Sequence, residues 1–179
     1  TTASRVRSNH PLAQSLIPAD HSGEPPPRRF NLARHCLSDK PEEKTALIVS
    51  GDSTQHWTYG ALEDRVLRLA GGFRRKGLEV GDRLFIRMGN SLDYAIVFFA
   101  VNAIGAIPIP ASPMLTGFEV AKLLADSGAR MIAWDGELDL PPTEVLVLDP
   151  SAMVRLMSSA AADYADTAAD DPAYHIYTS

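Results

Sequence analysis

Eight apolar residues in succession, Tyr94-Ala95-Ile96-Val97-Phe98-Phe99-Ala100-Val101, occupy the middle of the chain. A helix over this segment has no polar face, which is typical of a helix that is buried in a domain core or crosses a bilayer. Asn102 interrupts the run and Gly105 ends it, whereas a bilayer span needs about 20 apolar residues. The segment is therefore predicted to be a central helix under a sheet, with Phe98 and Phe99 buried.

Short apolar runs on both sides of this helix predict strands. Arg83-Leu84-Phe85-Ile86-Arg87-Met88 precedes it and Ala106-Ile107-Pro108-Ile109-Pro110 follows it. Because proline has no N–H to donate to a sheet, its alternate placement puts the second of these strands near a sheet edge. Three further strands are predicted at residues 45–49, 130–134 and 144–148.

Helices are predicted between these strands. Thr58 is placed to cap a helix that ends at Gly77, and Gly71-Gly72 inside it marks close packing against a neighbour. Its apolar residues recur at steps of three and four: Tyr59, Leu62, Val66, Leu69 and Phe73. Asn31 is placed to cap a shorter helix at residues 32–38, and another helix is predicted at residues 151–160.

A further helix begins with Thr116-Gly117-Phe118-Glu119, which has the spacing of a capping box, and ends at Gly128. Its buried side is predicted to consist of Phe118, Val120, Ala121, Leu123, Leu124 and Ala125. The alternation of strands and helices along the chain predicts an α/β fold with a doubly wound, mostly parallel sheet flanked by helices.

Composition narrows the possible functions. The chain has 179 residues, 45% of them hydrophobic and 22% charged, which is ordinary for a globular domain. Its net charge of −5 argues against a nucleic-acid-binding surface, which requires a basic stripe. Cys36 is the only cysteine, so an intramolecular disulfide is excluded, and this thiol is predicted to be a small buried hydrophobe.

Other ionisable residues form no recognisable site in the sequence. The five histidines lie far apart, without the spacing of metal ligands. Asp93, Asp126 and Asp135 are single carboxylates beside predicted helix and strand ends, and no second carboxylate pairs with any of them. No Gly-x-Gly-x-x-Gly follows the first strand, which weighs against an ordinary dinucleotide-binding fold.

Residues 1–29 are predicted to be a proline-rich N-terminal extension, and residues 30–179 an α/β domain. Pro25-Pro26-Pro27 lies in the extension, which has no periodic apolar face and is expected to be loosely packed. The extension has no apolar run long enough for a secretory signal.

The last residues, Ala173-Tyr174-His175-Ile176-Tyr177-Thr178-Ser179, are predicted to form a short buried strand that ends in two hydroxyl groups. A strand followed by Ser or Thr and then by glycines is how a phosphate-binding loop begins. The glycines are absent, so the chain either ends there by coincidence or is the front portion of a longer enzyme.

Three segments together resemble the adenylate-forming, or AMP-binding, superfamily. Trp57-Thr58-Tyr59-Gly60-Ala61-Leu62 resembles its first core motif, although Ala61 replaces the usual Glu. The segment from Val101 to Pro110 resembles the second motif, and residues 173–179 resemble the opening of the third. The resemblance covers about residues 30–179, in the expected order and spacing.

The resemblance implies the N-terminal portion of an acyl- or aryl-CoA synthetase, cut at the start of its phosphate-binding loop. Such enzymes use Mg-ATP to convert a fatty or aromatic acid into an acyl-adenylate and then transfer the acyl group to coenzyme A. Thr178 and Ser179 are the implied ATP phosphate-binding residues, and no catalytic or metal-binding residue is assigned. This polypeptide alone is expected to be inactive.

The implied partners are a small carboxylic acid and coenzyme A, with ATP and magnesium as cofactors, in a cytoplasmic protein. No nucleic acid and no transmembrane segment are expected, and a homodimer is left open. Ser112-Pro113-Met114-Leu115-Thr116 and residues 123–129 favour a CoA ligase over a peptide-synthetase adenylation domain. A non-catalytic α/β binding module and a flavodoxin-like or Rossmann-type domain remain as alternatives.

Overall fold

The computed structural model describes residues 27–50 and 54–178. Its strands are β1 (Thr45–Val49), β2 (Gln55–Thr58), β3 (Arg83–Arg87), β4 (Ile107–Pro110), β5 (Met131–Trp134) and β6 (Leu146–Leu148). Its helices are α1 (Leu32–Leu37), α2 (Tyr59–Arg75), α3 (Leu92–Ala103), α4 (Gly117–Ser127) and α5 (Pro150–Leu156). Residues 1–26, and the prediction of a loosely packed extension that concerns them, lie outside the described residues.

Four strands form the main sheet in the order β4-β3-β5-β6, and every neighbouring pair is parallel. The chain moves from β3 to β4 on one side and then crosses back to β5 on the other side of β3. Because parallel crossovers are right-handed, this reversal puts α3 and α4 on opposite faces of the sheet. The predicted α/β, doubly wound fold is confirmed.

The larger face of the sheet carries α1, α2, α3 and α5. Ile96, Val97, Ala100 and Val101 of α3 are buried there, as the sequence predicted for this helix. Phe98 and Phe99 are only partly buried, so their predicted burial is wrong. The reason is that other elements pack around only part of α3. An apolar side chain on the remaining part has no neighbour to cover it, whatever its hydrophobicity.

Among the described helices, only α4 covers the opposite face. Val120 and Leu124, four residues apart, pack with Phe85, Ile109 and Ile132 of the sheet. The predicted burial of Phe118, Ala121 and Ala125 is wrong, because a helix at the surface of a two-layer face buries a single stripe. Phe118 is 70% exposed, and the Lys122 ammonium group lies over its ring, 4.4 Å from the ring centroid.

Helix α2 forms as predicted. The Ala61 N–H donates to the Thr58 hydroxyl at 3.3 Å, which caps the first turn. The predicted close packing at Gly71-Gly72 is confirmed, because a Cβ atom on Gly71 would lie 2.1 Å from the Ala160 carbonyl oxygen. The helix after β6 is shorter than predicted and ends at Leu156, and residues 157–162 turn back across these glycines.

Strand β1 does not belong to the main sheet, although the alternation of elements suggested that it did. It pairs with β2 in an antiparallel hairpin, with Ile48 opposite His56. The short connection between β1 and β2 suits an antiparallel pair, because a parallel neighbour needs a crossover of a dozen or more residues. Strand β2 itself was not predicted.

Residues 173–178 are irregular and mostly exposed, so the prediction of a buried terminal strand is wrong. The segment lies beside β4, which is an edge strand as its prolines predicted. Ile107 and Ala111 donate their N–H groups toward β3, so the alternate positions, Pro108 and Pro110, face outward. Those positions have no N–H, and the backbone bond from residues 173–178 to β4 runs from the His175 N–H to the Pro108 carbonyl at 3.0 Å.

Candidate functional site

The strand order identifies where a ligand site is expected in this architecture. In open α/β sheets, ligands bind outside the carboxyl ends of the strands, at the point where the chain reverses its direction across the sheet. Here that point lies between β3 and β5, because β4 and β5 flank β3 on opposite sides. The relevant residues are Arg87 to Gly89 at the end of β3 and Trp134 to Gly136 at the end of β5.

Arg87 ends β3 and is 1% exposed. Its guanidinium group donates to the carbonyl oxygens of Asp139 at 3.0 Å, Ser112 at 2.8 Å and Leu115 at 2.9 Å. These acceptors belong to the loops that follow β4 and β5. The charge of Arg87 is thus solvated by backbone dipoles, and the side chain holds two loops together at the carboxyl edge.

Asp135 follows β5 and closes the same crevice from the other side. Its Oδ2 accepts from the Gly89 N–H at 2.8 Å, and its Oδ1 accepts from the N–H groups of Glu137 and Leu138, each at 3.0 Å. Burial disfavours the charged form, but the hydrogen bonds from Leu138, Gly89 and Glu137 outweigh it and lower the pKa of this carboxyl below its ordinary value.

The crevice between β3 and β5 is therefore occupied by the protein's own polar groups. Sequence reasoning noted Asp135 as an unpaired carboxylate and passed over Arg87 altogether. The available signal was an arginine inside an apolar strand, which must find several acceptors when it is buried. Within residues 27–50 and 54–178, no cluster of three or more His, Cys, Asp or Glu side chains could hold a metal ion.

A cavity of about 260 Å³ lies next to this crevice, where β3 and β4 end. Its walls are formed by Met88, Asn90, Tyr94, Pro110, Ala111, Ser112 and Pro113. Burial raises the pKa of the Tyr94 phenol, so this hydroxyl stays protonated at neutral pH and can act as a hydrogen-bond donor. The cavity can accept a small apolar group, and it contains no nucleophile paired with a base.

Thr178, the described member of the two predicted phosphate-binding residues, is exposed. It follows Tyr177, whose hydroxyl donates to Asp126 Oδ2 near the end of α4 at 2.7 Å. Burial and this carboxylate raise the pKa of Tyr177 to about 12. Because α4 runs antiparallel to the strands, its end lies at the amino edge of the sheet, so the structure does not bring Thr178 together with Arg87 and Asp135. Ser179 lies outside the described residues.

Comparison with known proteins adds family information to this geometry. Residues 33–179 match the family described as AMP-binding enzyme. The chain is 33% identical over 91 residues to 4-coumarate--CoA ligase 4 of Arabidopsis thaliana, an alignment that covers 51% of this chain and 16% of that ligase. None of the described helices combines the length and apolar content that a membrane crossing demands.

Solved structures resemble the fold over a larger part of the chain. An artificially fused adenylation–PCP di-domain NRPS, NpsA-ThdA from Klebsiella oxytoca, superposes with a TM-score of 0.65 at 25% identity, covering 70% of this chain and 24% of that one. Mycobacterium tuberculosis fatty acyl CoA synthetase gives a TM-score of 0.62 at 25% identity, covering 70% and 28%. The chain thus spans less than a third of each of these proteins.

Proposed function

The chain belongs to the AMP-binding enzyme family, and on that premise we propose that it is the N-terminal α/β part of an ATP-dependent carboxylic acid:CoA ligase. In that reaction a fatty or aromatic carboxylate attacks the α-phosphate of ATP, which gives an acyl-adenylate and releases pyrophosphate. The thiol of coenzyme A then displaces AMP and forms a thioester. The observation that carries the proposal is the family match over residues 33–179.

Within this proposal, Thr178 and Ser179 contact the phosphates of ATP. The hydroxyl of Thr178 is exposed and can donate a hydrogen bond to a phosphate oxygen. Two hydroxyl groups do not form a complete site, because phosphate-binding loops also use successive backbone N–H groups that glycines allow to converge. Mg²⁺ would neutralise phosphate charge, and its carboxylate ligands are proposed to lie in a longer polypeptide.

The acceptor of the acyl group is proposed to be coenzyme A, and the alternative is the carrier protein of a peptide synthetase. Both enzyme types occur among the similar proteins, with 4-coumarate--CoA ligase 4 representing the first and NpsA-ThdA the second. The CoA-ligase pattern ends in Ser127-Gly128-Ala129, where the Ser127 hydroxyl donates to the Leu124 carbonyl and Gly128 has a φ of 60°. This pattern therefore ends helix α4.

The remaining assignments form part of the same proposal. Residues 1–29 are proposed to be an extension and residues 30–179 one subdomain of a larger adenylating domain. The ligase is proposed to act in the cytoplasm on a small-molecule acid, and self-association as a homodimer is tested by its mass in solution. Residues 1–179 alone are proposed to lack adenylating activity, because they supply little of the phosphate-binding loop.

The direct test is pyrophosphate exchange, measured with ATP and a panel of fatty and aromatic acids. A longer protein that contains these residues is expected to exchange pyrophosphate and to form CoA thioesters, and residues 1–179 alone are expected to do neither. Ser179→Ala in the longer protein is expected to slow adenylation by about tenfold, the loss of one hydrogen bond to a charged group. The matched control is Ser158→Ala, which removes an exposed hydroxyl at the end of α5.

Two outcomes would contradict the proposal in different ways. Acid-dependent exchange by pure residues 1–179 would show that the phosphate-binding argument is wrong. Failure of the longer protein with every acid, in the presence of coenzyme A, would remove the ligase assignment. Exchange without thioester formation would instead favour a carrier protein as the acceptor.

A further inference from the structure

A groove of about 420 Å³ opens between α1, β1, α2 and α3, on the larger face of the domain and away from Thr178. Most of its lining residues are apolar, among them Leu37, Leu47, Leu62 and Phe99, and Cys36 and Lys40 also line it. Small-molecule sites in proteins are concave, mostly apolar and about 300–1,000 Å³ in volume, so the groove is large enough for a small ligand.

The walls of the groove come from four elements of the fold. Ala95 and Phe99 lie one turn apart on α3, and Tyr59 and Leu62 lie one turn apart on α2, so each pair shares a helix face. Leu37 and Leu62 are buried and form the floor, whereas Phe99 is only partly buried. The partial exposure of Phe99 is thus explained: this ring lines a groove.

The groove lining has no acidic side chain. It includes no aspartate or glutamate, and Lys40, which is exposed, is its one lysine or arginine. Among the described residues, no carboxylate lies within ion-pairing distance of Lys40. Burial raises the pKa of the Cys36 thiol, and the charge of Lys40, which lines the same groove, opposes that effect.

We propose that this groove binds a medium-chain carboxylate, with the hydrocarbon chain along Leu47, Leu62 and Phe99 and the carboxylate at the Lys40 ammonium group. The apolar walls favour the chain, and the ammonium group of Lys40 favours an anionic head group. The site is separate from the phosphate-binding residues and does not depend on the proposed ligase activity. Binding by the 179-residue chain and adenylation by a longer protein can therefore succeed or fail independently.

Cys36 provides a built-in reporter, because it is the only thiol of the chain and lines the groove. The experiment measures the rate at which iodoacetamide, a neutral reagent, alkylates Cys36 in the 179-residue chain at increasing decanoate concentrations. Decanoate is expected to slow alkylation in a saturable way. Octanoate and hexanoate are expected to bind more weakly, by up to about fourfold for each methylene removed.

Variants separate the two parts of the site. Lys40→Gln is expected to weaken decanoate protection by about two- to fivefold and to leave protection by decan-1-ol unchanged, because only the carboxylate uses the ammonium group. Lys44→Gln is the matched control, since Lys44 is exposed on the same part of the chain but does not line the groove. Ala95→Phe is expected to fill the groove and abolish protection by both ligands.

The outcomes are decisive even if Ala95→Phe fails to fold, because the chain-length series and the lysine variants test the site in the native chain. An alkylation rate that no concentration of decanoate changes would overturn the proposal. Equal losses with Lys40→Gln and Lys44→Gln would also overturn it, since they would show only general attraction to positive charge. Protection by an apolar peptide but by none of the acids would identify a protein segment as the occupant and overturn the proposal as well.

Discussion

Arg87 and Asp135 are ionised side chains that are neutralised by backbone dipoles and not by each other. Arg87 donates to three carbonyl groups, and Asp135 accepts from three N–H groups of its own loop and of the loop after β3. An unsatisfied partner left behind in such a setting costs about 1–3 kcal/mol. Both residues therefore stabilise the loops at the carboxyl edge, where catalytic side chains of this architecture would otherwise project.

Replacing Asp135 with Asn is expected to destabilise the domain in a pH-dependent way. The folded-state pKa of Asp135 is lowered, so its contribution is present above the unfolded-state pKa of about 3.9 and is lost as the pH falls below it. Urea unfolding should show a loss of roughly 2 kcal/mol at pH 7 that shrinks toward pH 3. Asp163→Asn, at an exposed carboxylate, is the control, and a pH-independent loss at position 135 would contradict the argument.

At the scale of elements, the interior of α2 contains two adjacent glycines, Gly71 and Gly72, that intrinsic helix propensity disfavours by about 1 kcal/mol each. Their positions are explained by residues 156–162, which lie directly against this face of the helix. A Cβ atom on Gly72 would lie 2.6 Å from the Leu156 Cβ and 2.8 Å from its carbonyl oxygen. The two glycines thus lower the intrinsic helix propensity of α2 but allow close contact with α5 and the segment that follows it.

Replacing a helix glycine with alanine commonly stabilises a protein, but this contact is expected to make the same replacement destabilising at Gly71. Gly71→Ala would gain about 1 kcal/mol by propensity alone, but its Cβ would meet the Ala160 carbonyl oxygen, so a net loss of about 1–3 kcal/mol is expected. Gly60→Ala in the first turn of the same helix is the control, because its nearest neighbour is the Glu42 Cβ at 3.3 Å and little net change is expected. Thermal unfolding measures both, and stabilisation by Gly71→Ala would disprove the packing argument.

The edge of the sheet at β4 gives a second prediction at this scale. Pro108 presents a carbonyl but no N–H to residues 173–178, and the His175 N–H already uses that carbonyl. Pro108→Val would supply a donor facing the same segment, so the segment is expected to pair more firmly with β4. Amide exchange at His175 should slow by about fivefold, equivalent to one net hydrogen bond of about 1 kcal/mol. Pro113→Val, beyond the strand, should leave that exchange rate unchanged.

At the scale of the whole molecule, the sequence predicts the layers better than it predicts their boundaries. Four parallel strands, the main helices and the caps at Thr58 and Thr116 follow from local patterns, because periodicity and capping are properties of neighbouring residues. Burial at Phe98 and Phe118 could not be predicted, since it depends on which neighbours the topology supplies. The pairing of β1 with β2 likewise depends on partner choice across the fold.

The candidate site shows the same division. Thr178 was identified from a motif, and a motif is a property of the local sequence. Its position relative to the crevice between β3 and β5 depends instead on how residues 173–178 lie against β4. Arg87 was missed because its acceptors lie in loops 25 to 52 residues away. The apolar groove at Cys36 was missed because four separate elements form it.

Asn31 connects three parts of the chain that are distant in sequence. Its substitution therefore tests how strongly these parts are held together. Its side-chain amide is buried and donates to the carbonyl oxygens of Asn102 at 3.1 Å, Ala103 at 3.2 Å and Ala165 at 3.2 Å. Its Oδ1 accepts from the Arg34 N–H at 3.1 Å, which caps α1 as predicted. The cap is local, whereas the three donated bonds hold α1, the end of α3 and the segment near residue 165 in one unit.

Asn31→Asp separates these two roles, because Asp is as good a helix cap as Asn but, when ionised, has no donor for the three carbonyl groups. If the connecting role dominates, Asn31→Asp should destabilise the chain at pH 7 by about 2–3 kcal/mol, at least as much as Asn31→Ala. A buried carboxyl facing carbonyl oxygens has a raised pKa, so protonation should restore part of the stability as the pH falls toward 4. Urea unfolding at both pH values measures this, with Asn90→Asp as the surface control. An Asn31→Asp variant as stable as the native chain at pH 7 would show that Asn31 is only a helix cap.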